Sequence, residues 1–182
     1  LVILIAPAVS MRFVSEESRS GTLEVVQSSP IADWQVALGK YAAGMGFVAC
    51  MLAVMVVHAV VLRSLSSPRP DWGPIWAGLL SMLLLGSVCV SLGLLASTLT
   101  ESQTLAFLGT VLALVCWVLV TNVAPAYLPE RLGDWLSSAS VNRRVDDFAR
   151  GVIDTGHVVF FVSVSGLLVF AASVSLGMRR WL

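Results

Sequence analysis

An all-α bundle that crosses a lipid bilayer several times is the fold class this sequence predicts, and three observations lead to it. Apolar residues make up 57% of the 182-residue chain and charged ones 12%, whereas about a quarter of the residues of a soluble domain are charged. No Asp, Glu, Lys or Arg occurs in 41–62, 72–100, 102–129 or 155–178, and each gap holds the roughly 20 residues that a helix needs to cross. The connections between these gaps are rich in Ser, Pro and Gly or carry the charges, as turns and surface segments do. One ionised side chain at mid-membrane would cost about 2.5–3.5 kcal/mol on the insertion scale, against about 0.3–0.6 gained by each Leu, Val or Phe. Charge spacing therefore delimits the spans.

About five spanning segments follow: a partial one over 1–14, then 36–62, 74–97, 104–121 and 157–177. The opening run LVILIAPAVS reaches Arg12 after covering only about half of a hydrocarbon core of about 30 Å at about 1.5 Å per residue. Without a basic flank or an A-x-A site it reads as the end of a spanning helix rather than a signal peptide. Small residues at four-residue spacing mark two packing faces, Ala42–Gly46–Cys50 and Cys89–Gly93–Ser97, because small side chains let helix backbones approach closely in lipid. The connection at Thr100, Glu101 and Ser102 is short enough to make the flanking helices a tight hairpin, with Glu101 a solvated carboxylate at the membrane edge.

The longest polar connection, 122–156, is expected to be an amphipathic helical cap on the membrane surface. Leu128, Leu132, Trp135 and Leu136 make one apolar stripe, and Val141, Val145, Phe148 and Val152 a second. Arg143 with Asp147, Asp146 with Arg150 and Arg150 with Asp154 stand at i, i+4, where opposite charges support a helix by a few tenths of a kcal/mol.

The most informative stretch is 11–40, polar sequence between apolar runs. Ser20, Gly21 and Thr22 form a turn-and-cap cluster, and residues 22–27 can make a short helix with Leu23 and Val26 on one face. Ser29-Pro30 reads as a second helix start, with Ser29 at the N-cap and Pro30 at the first helical position. Ile31, Trp34, Leu38 and Tyr41 continue at helical spacing, with Trp34 and Tyr41 suited to a membrane interface.

At Glu16-Glu17, Arg19, Gly21-Thr22-Leu23-Glu24, Ser29-Pro30, Asp33-Trp34 and Leu38-Gly39-Lys40, the chain resembles permease subunits of ABC-type-2 transporters, most closely the gliding-motility-associated and nitrous-oxide-reductase-maturation branches. The string from Asp146 to Asp154, DDFARGVID, resembles the element before the last helix of the same branch. The resemblance implies a sixth spanning helix ahead of residue 1 and a cytosolic coupling region at 15–35 that docks onto a separate ATP-binding-cassette ATPase subunit. Glu16, Glu17, Arg19, Gly21, Thr22, Leu23, Glu24, Val26 and Pro30 would form that partner-binding region. It also implies a second permease chain, a multi-pass location in the cell (inner) membrane, and export of a substrate. Orientation, with the 122–156 cap extracytoplasmic, rests on the same resemblance. Arg12, Arg19, Lys40, Arg179 and Arg180 would be cytosolic and Arg63, Arg69, Arg131, Arg143, Arg144 and Arg150 outside, a count that does not itself obey the positive-inside tendency.

Several chemistries find no support. Gly39-Lys40 lacks the rest of a phosphate-binding loop, so ATP would have to act through a partner. Cys50, Cys89 and Cys116 are scattered in apolar runs with no ligand set nearby, so no metal, cofactor or disulfide is expected. A net charge of zero gives no reason to expect nucleic acid. An intramembrane hydrolase would need a serine and histidine in concert, yet Ser165-Gly166 lacks the G-x-S-G pattern and His58 has no acid in its helix. No catalytic residue is assigned. A non-transporting membrane scaffold that recruits an ATPase is the alternative to transport.

Overall fold

The computed structural model describes residues 2–15, 31–67 and 71–179. Among them the fold is a polytopic helical bundle, with α1 (Val2–Ser10), α2 (Asp33–Leu65), α3 (Trp72–Leu99), α4 (Gln103–Val123), a 3₁₀ turn (Ala124–Ala126), α5 (Glu130–Ser138), α6 (Val141–Ala149) and α7 (Thr155–Arg179). The helical run 155–178 with α2, α3 and the run 103–126 are the four stretches long and apolar enough to cross a membrane, and 5–15 is a shorter apolar helix.

Helix α2 extends past its charge-free gap at both ends and α7 by one residue, whereas α3 and α4 end within theirs. Asp33 and Lys40 lie inside the start of α2 and Arg63 near its end. The guanidinium of Arg63 stacks over Trp72 at 4.9 Å, and Trp72 stacks in turn on Trp76. Asp71 caps α3, its carboxylate accepting from Gly73 N–H at 3.3 Å, and Asp154 does the same for α7 through Gly156 N–H at 2.8 Å. Side-chain caps of this kind take up amides that a helix start leaves open.

Helix α3 is the centre of the bundle, with α1, α2, α4, α6 and α7 all packed against it. Its composition explains why. Ala77, Ser81, Gly86, Ser87, Cys89, Ser91, Gly93 and Ser97 are all buried along it, and small residues let surrounding helices close in where lipid supplies no hydrophobic drive between them. Three of its hydroxyls bond back to their own helix, Ser87 to Leu84 O at 2.6 Å, Ser91 to Val88 O at 2.9 Å and Thr98 to Leu95 O at 2.7 Å, whereas the buried Ser81 hydroxyl has no partner among the described residues.

The two small-residue stripes have different fates. Cys89, Gly93 and Ser97 are buried, and Gly93 is where α1 approaches most closely: a Cβ there would lie 1.8 Å from Ser10 Oγ and 2.9 Å from Ser10 Cβ. Ala42, Gly46 and Cys50 instead point outward. The packed face of α2 is Ala37, Gly44, Val48 and Leu52, rotated away because Gly44 admits Val90 and the Phe13 ring.

The segment 122–156 forms two short helices over one end of the bundle. Val141 and Phe148 are buried and Val145 half-buried, but Val152 is exposed because α6 stops at Ala149. Gly151, at φ +83°, ends it: Gly151 N–H donates to Phe148 O at 2.9 Å and Val152 N–H to Asp147 O at 3.1 Å, the paired bonds of a glycine-terminated helix. The i, i+4 ion pairs expected along this segment do not form. Asp147 bonds instead to His157 Nε2 at 3.0 Å, and Arg144 Nη1 to His157 Nδ1 at 2.9 Å. Since a guanidinium only donates, Nδ1 accepts and the ring proton sits on Nε2, facing Asp147. Arg144 also donates to Ser138 O at 2.6 Å and lies 3.8 Å from the Phe160 ring centre. Burial lowers its pKa from the ordinary arginine value, and Asp154 partly offsets this.

Two predictions follow from this packing. Gly93→Ala should destabilise the purified protein by about 1–3 kcal/mol, the usual cost of overpacking. Gly46→Ala, with nothing within 4 Å of the new methyl, should be neutral or gain up to about 1 kcal/mol of helix propensity; thermal unfolding in detergent compares the two. Arg144→Lys, which keeps the charge but loses the planar fork and the ring stacking, should speed amide hydrogen exchange in α6 about tenfold, and wild-type exchange rates would show the fork to be dispensable.

Candidate functional site

All the residues assigned from sequence to partner binding, Glu16, Glu17, Arg19, Gly21, Thr22, Leu23, Glu24, Val26 and Pro30, lie outside the described residues, as does Ser29. The structure describes the residues that flank that segment, up to Ser15 on one side and from Ile31 on the other.

The departing side begins at a break in α1. Pro7, inside the helix, has no N–H to donate, and its carbonyl accepts from Met11 N–H at 2.9 Å and from Ser10 Oγ at 3.3 Å. Met11 is a turn residue, after which 12–15 are helical again. Into this bend α3 inserts a hydroxyl. Val14 N–H and Ser15 N–H both donate to Ser97 Oγ at 3.0 Å, and Ser97 donates to Met11 O at 3.1 Å. The Ser15 hydroxyl donates to the same Met11 carbonyl. Ser10, Ser15 and Ser97 are fully buried and Met11 is half-buried.

The returning side is α2. Ile31 and Ala32 are not helical, and the helix starts at Asp33 rather than at Pro30. Gln35 provides the local reason: its side-chain carbonyl accepts from Ala32 N–H at 3.3 Å while its own N–H donates to Ala32 O at 2.9 Å. Asp33 adds a negative charge in the first turn, favourable at a helix N-terminus. It also comes close to α7, since a Cβ on Gly177 would sit 3.2 Å from its carboxylate. Two turns further on, Lys40 Nζ donates to the carbonyl of Phe13, in the helical turn 12–15 that follows α1.

Between the two sides lies a compact apolar plug of Val14, Ala37, Leu94, Val169, Ala172 and Leu176, contributed by the end of α1, α2, α3 and α7, with Phe13, Tyr41 and Leu95 around it. Beside it, Trp34, Leu38 and Tyr41 face Val169, Phe170 and Ser173 across a groove of about 340 Å³. Ile31, Trp34 and Leu38 are exposed, as side chains at the level of lipid headgroups would be.

Sequence reasoning placed the functional weight on 16–30 and missed Ser97 and Lys40 as its anchors. Both were visible as Ser97 in a small-residue stripe and Lys40 in the Leu38-Gly39-Lys40 element, but neither pattern names a partner 27 or more positions away. Elsewhere, Ser165 Oγ donates to Val162 O at 3.0 Å and His157 is engaged by Arg144 and Asp147, so these two groups are not in concert. Among the described residues no group of His, Cys, Asp or Glu could hold a metal. At the other end of the bundle, a cavity of about 480 Å³ between α3, α4 and α6 has walls such as Leu85, Leu114 and Val118, with Asn142 and Asp146 as its polar margin.

No curated protein and no solved structure matches the chain. The family described as ABC-2 family transporter protein matches residues 1–137, from α1 into α5 and including the whole footing of the 16–30 segment up to α3. Permeases of this family are typically non-catalytic membrane subunits that work with an ABC ATPase. The chain belongs to the ABC-2 family of transporter proteins and is a multi-pass membrane permease subunit.

Proposed function

We propose that the chain couples ATP hydrolysis by a separate ATP-binding-cassette subunit to export of a substrate across the cell (inner) membrane, with segment 15–35 as the coupling region. Glu16, Glu17 and Arg19 make rim ion pairs with the ATPase, Gly21 allows a tight turn, and Leu23 and Val26 seat in an apolar groove of the partner. Thr22 caps the short helix, Glu24 lies in its first turn, where its charge suits the helix dipole, and Pro30 closes it off from α2. A second permease chain completes the assembly. The likeness to gliding-motility and nitrous-oxide-maturation permeases belongs to this proposal too.

The reading is supported above all by the footing. A segment that transmits force needs both of its ends fixed to the body it moves, and Val14 before it and Ala37 after it belong to one apolar plug with Leu94, Val169, Ala172 and Leu176. The absence of charge through 41–62 and 72–100 fits a bundle that rocks as a body rather than one that passes an ion along a polar file.

Leu23→Asp, in the full-length protein reconstituted with its ATPase, should reduce co-purification of the ATPase at least about tenfold, since a buried interface anchor is typically worth 2 kcal/mol or more. Unchanged co-purification and unchanged hydrolysis would count against the coupling assignment.

A further inference from the structure

Ser97 has a place in the molecule that packing alone does not explain. A fully buried serine in a spanning helix ordinarily returns its proton to a carbonyl of its own helix, as Ser87, Ser91 and Thr98 do in α3. Ser97 does not. Its hydroxyl accepts from Val14 and Ser15 and donates to Met11, so three bonds join the central helix to the last turn before the 16–30 segment. That turn is also tied to α2, through Lys40 on Phe13 O and the Phe13 ring over Gly44. The neighbouring turn of α3 is locked as well, with Gly93 giving Ser10 its space. A displacement of residue 15 along the bundle therefore cannot pass α3 by sliding, as it could over an apolar surface. It must either carry α3 with it or break hydrogen bonds of buried groups, where an unpaired amide costs a desolvation penalty.

We infer that Ser97 is a positioning residue that transmits movement of the 16–30 segment to α3, with Lys40 as a second tie through α2; this rests on the coupling role proposed above. Ser97 touches neither ATPase nor substrate. It acts by making residues 11–15 and the centre of the bundle move together, and because α1, α2, α4, α6 and α7 all pack on α3, that tie extends to the whole bundle.

A native thiol reads the movement. Cys89 is buried on α3 two turns before Ser97, while Cys50 and Cys116 are exposed and can be changed to Ser. In the full-length permease reconstituted with its ATPase in lipid vesicles, the rate of Cys89 modification by a small maleimide is compared with and without ATP and vanadate. The ratio should depart from unity in the parent. In Ser97→Ala it should return to near unity with ATPase co-purification retained, and Ser97→Thr, which keeps the hydroxyl, should restore it. A ratio in Ser97→Ala equal to the parent's overturns the inference. Should Ser97→Ala fail to assemble, Lys40→Met is read in the same way: a diminished ratio supports the tie and an unchanged one overturns it. Leu23→Asp separates the two proposals. Loss of the response there with a normal response in Ser97→Ala removes only the Ser97 assignment, whereas a normal response in Leu23→Asp removes the coupling role itself.

Discussion

In hydrocarbon an amide or carbonyl without a partner costs several kcal/mol, and the bundle meets that constraint at its weakest point with a single hydroxyl. Pro7 takes one donor out of α1, and Met11 interrupts the helix before the helical turn 12–15. Each of these would open backbone groups to lipid. Ser97 takes up two amides and one carbonyl there, Ser15 a share of the same carbonyl, and Lys40 the next exposed carbonyl at Phe13. The close approach that lets Ser97 reach α1 depends on Gly93, and the approach of α2 depends on Gly44. Small residues on α3 and α2 are thus the geometric condition for a polar repair on α1.

The same constraint acts at the opposite end with different chemistry. There the cap segment lies where water and headgroups can take part, so charge is tolerable and is used. Arg144 is the organising group: one guanidinium reaches the Ser138 carbonyl at the end of α5, His157 at the start of α7, and the face of Phe160 one turn later. Three elements are thereby fixed by one side chain, and Asp147 secures the imidazole from its other nitrogen. The glycine that ends α6, Gly151, stands against Pro74 at the start of α3. The cap is therefore joined to the central helix at one of its ends, and the 16–30 footing at the other.

The parts of this architecture that were legible in the sequence are those fixed by solvent. Uncharged gaps gave the long helices because lipid excludes charge irrespective of what packs where, and the cap over 122–156 could be read only in outline, as an amphipathic segment. What was not legible depends on which helix stands beside which. The stripes Ala42–Gly46–Cys50 and Cys89–Gly93–Ser97 have the same spacing and the same residue sizes, yet one faces outward and the other receives α1. Nothing local separates them. Likewise the i, i+4 charges of 143–154 are correctly spaced for helix pairs, but α6 ends before Arg150 can extend the pattern, and His157 outcompetes Arg143 for Asp147 because it arrives from another helix. Pro30 was a plausible first helical residue; Gln35 instead closes the helix start on Ala32.

The difference between a buried serine that bonds its own helix and one that bonds its neighbour has mechanical consequences. A back-bonded hydroxyl leaves the helix surface effectively apolar, and an apolar surface in lipid resists separation but offers little resistance to shear, because one set of dispersion contacts is exchanged for another of similar worth. A hydroxyl shared across the interface resists shear as well, since its bonds have fixed length and direction and no water is at hand to replace them. In α3 the back-bonded Ser87 and Ser91 occupy the middle of the helix, and the cross-bonded Ser97 occupies the end next to the 16–30 segment. The hydrogen bonds between α3 and the chain before residue 16 are thus made at that end of the helix and by Ser97, although Thr98 beside it is back-bonded.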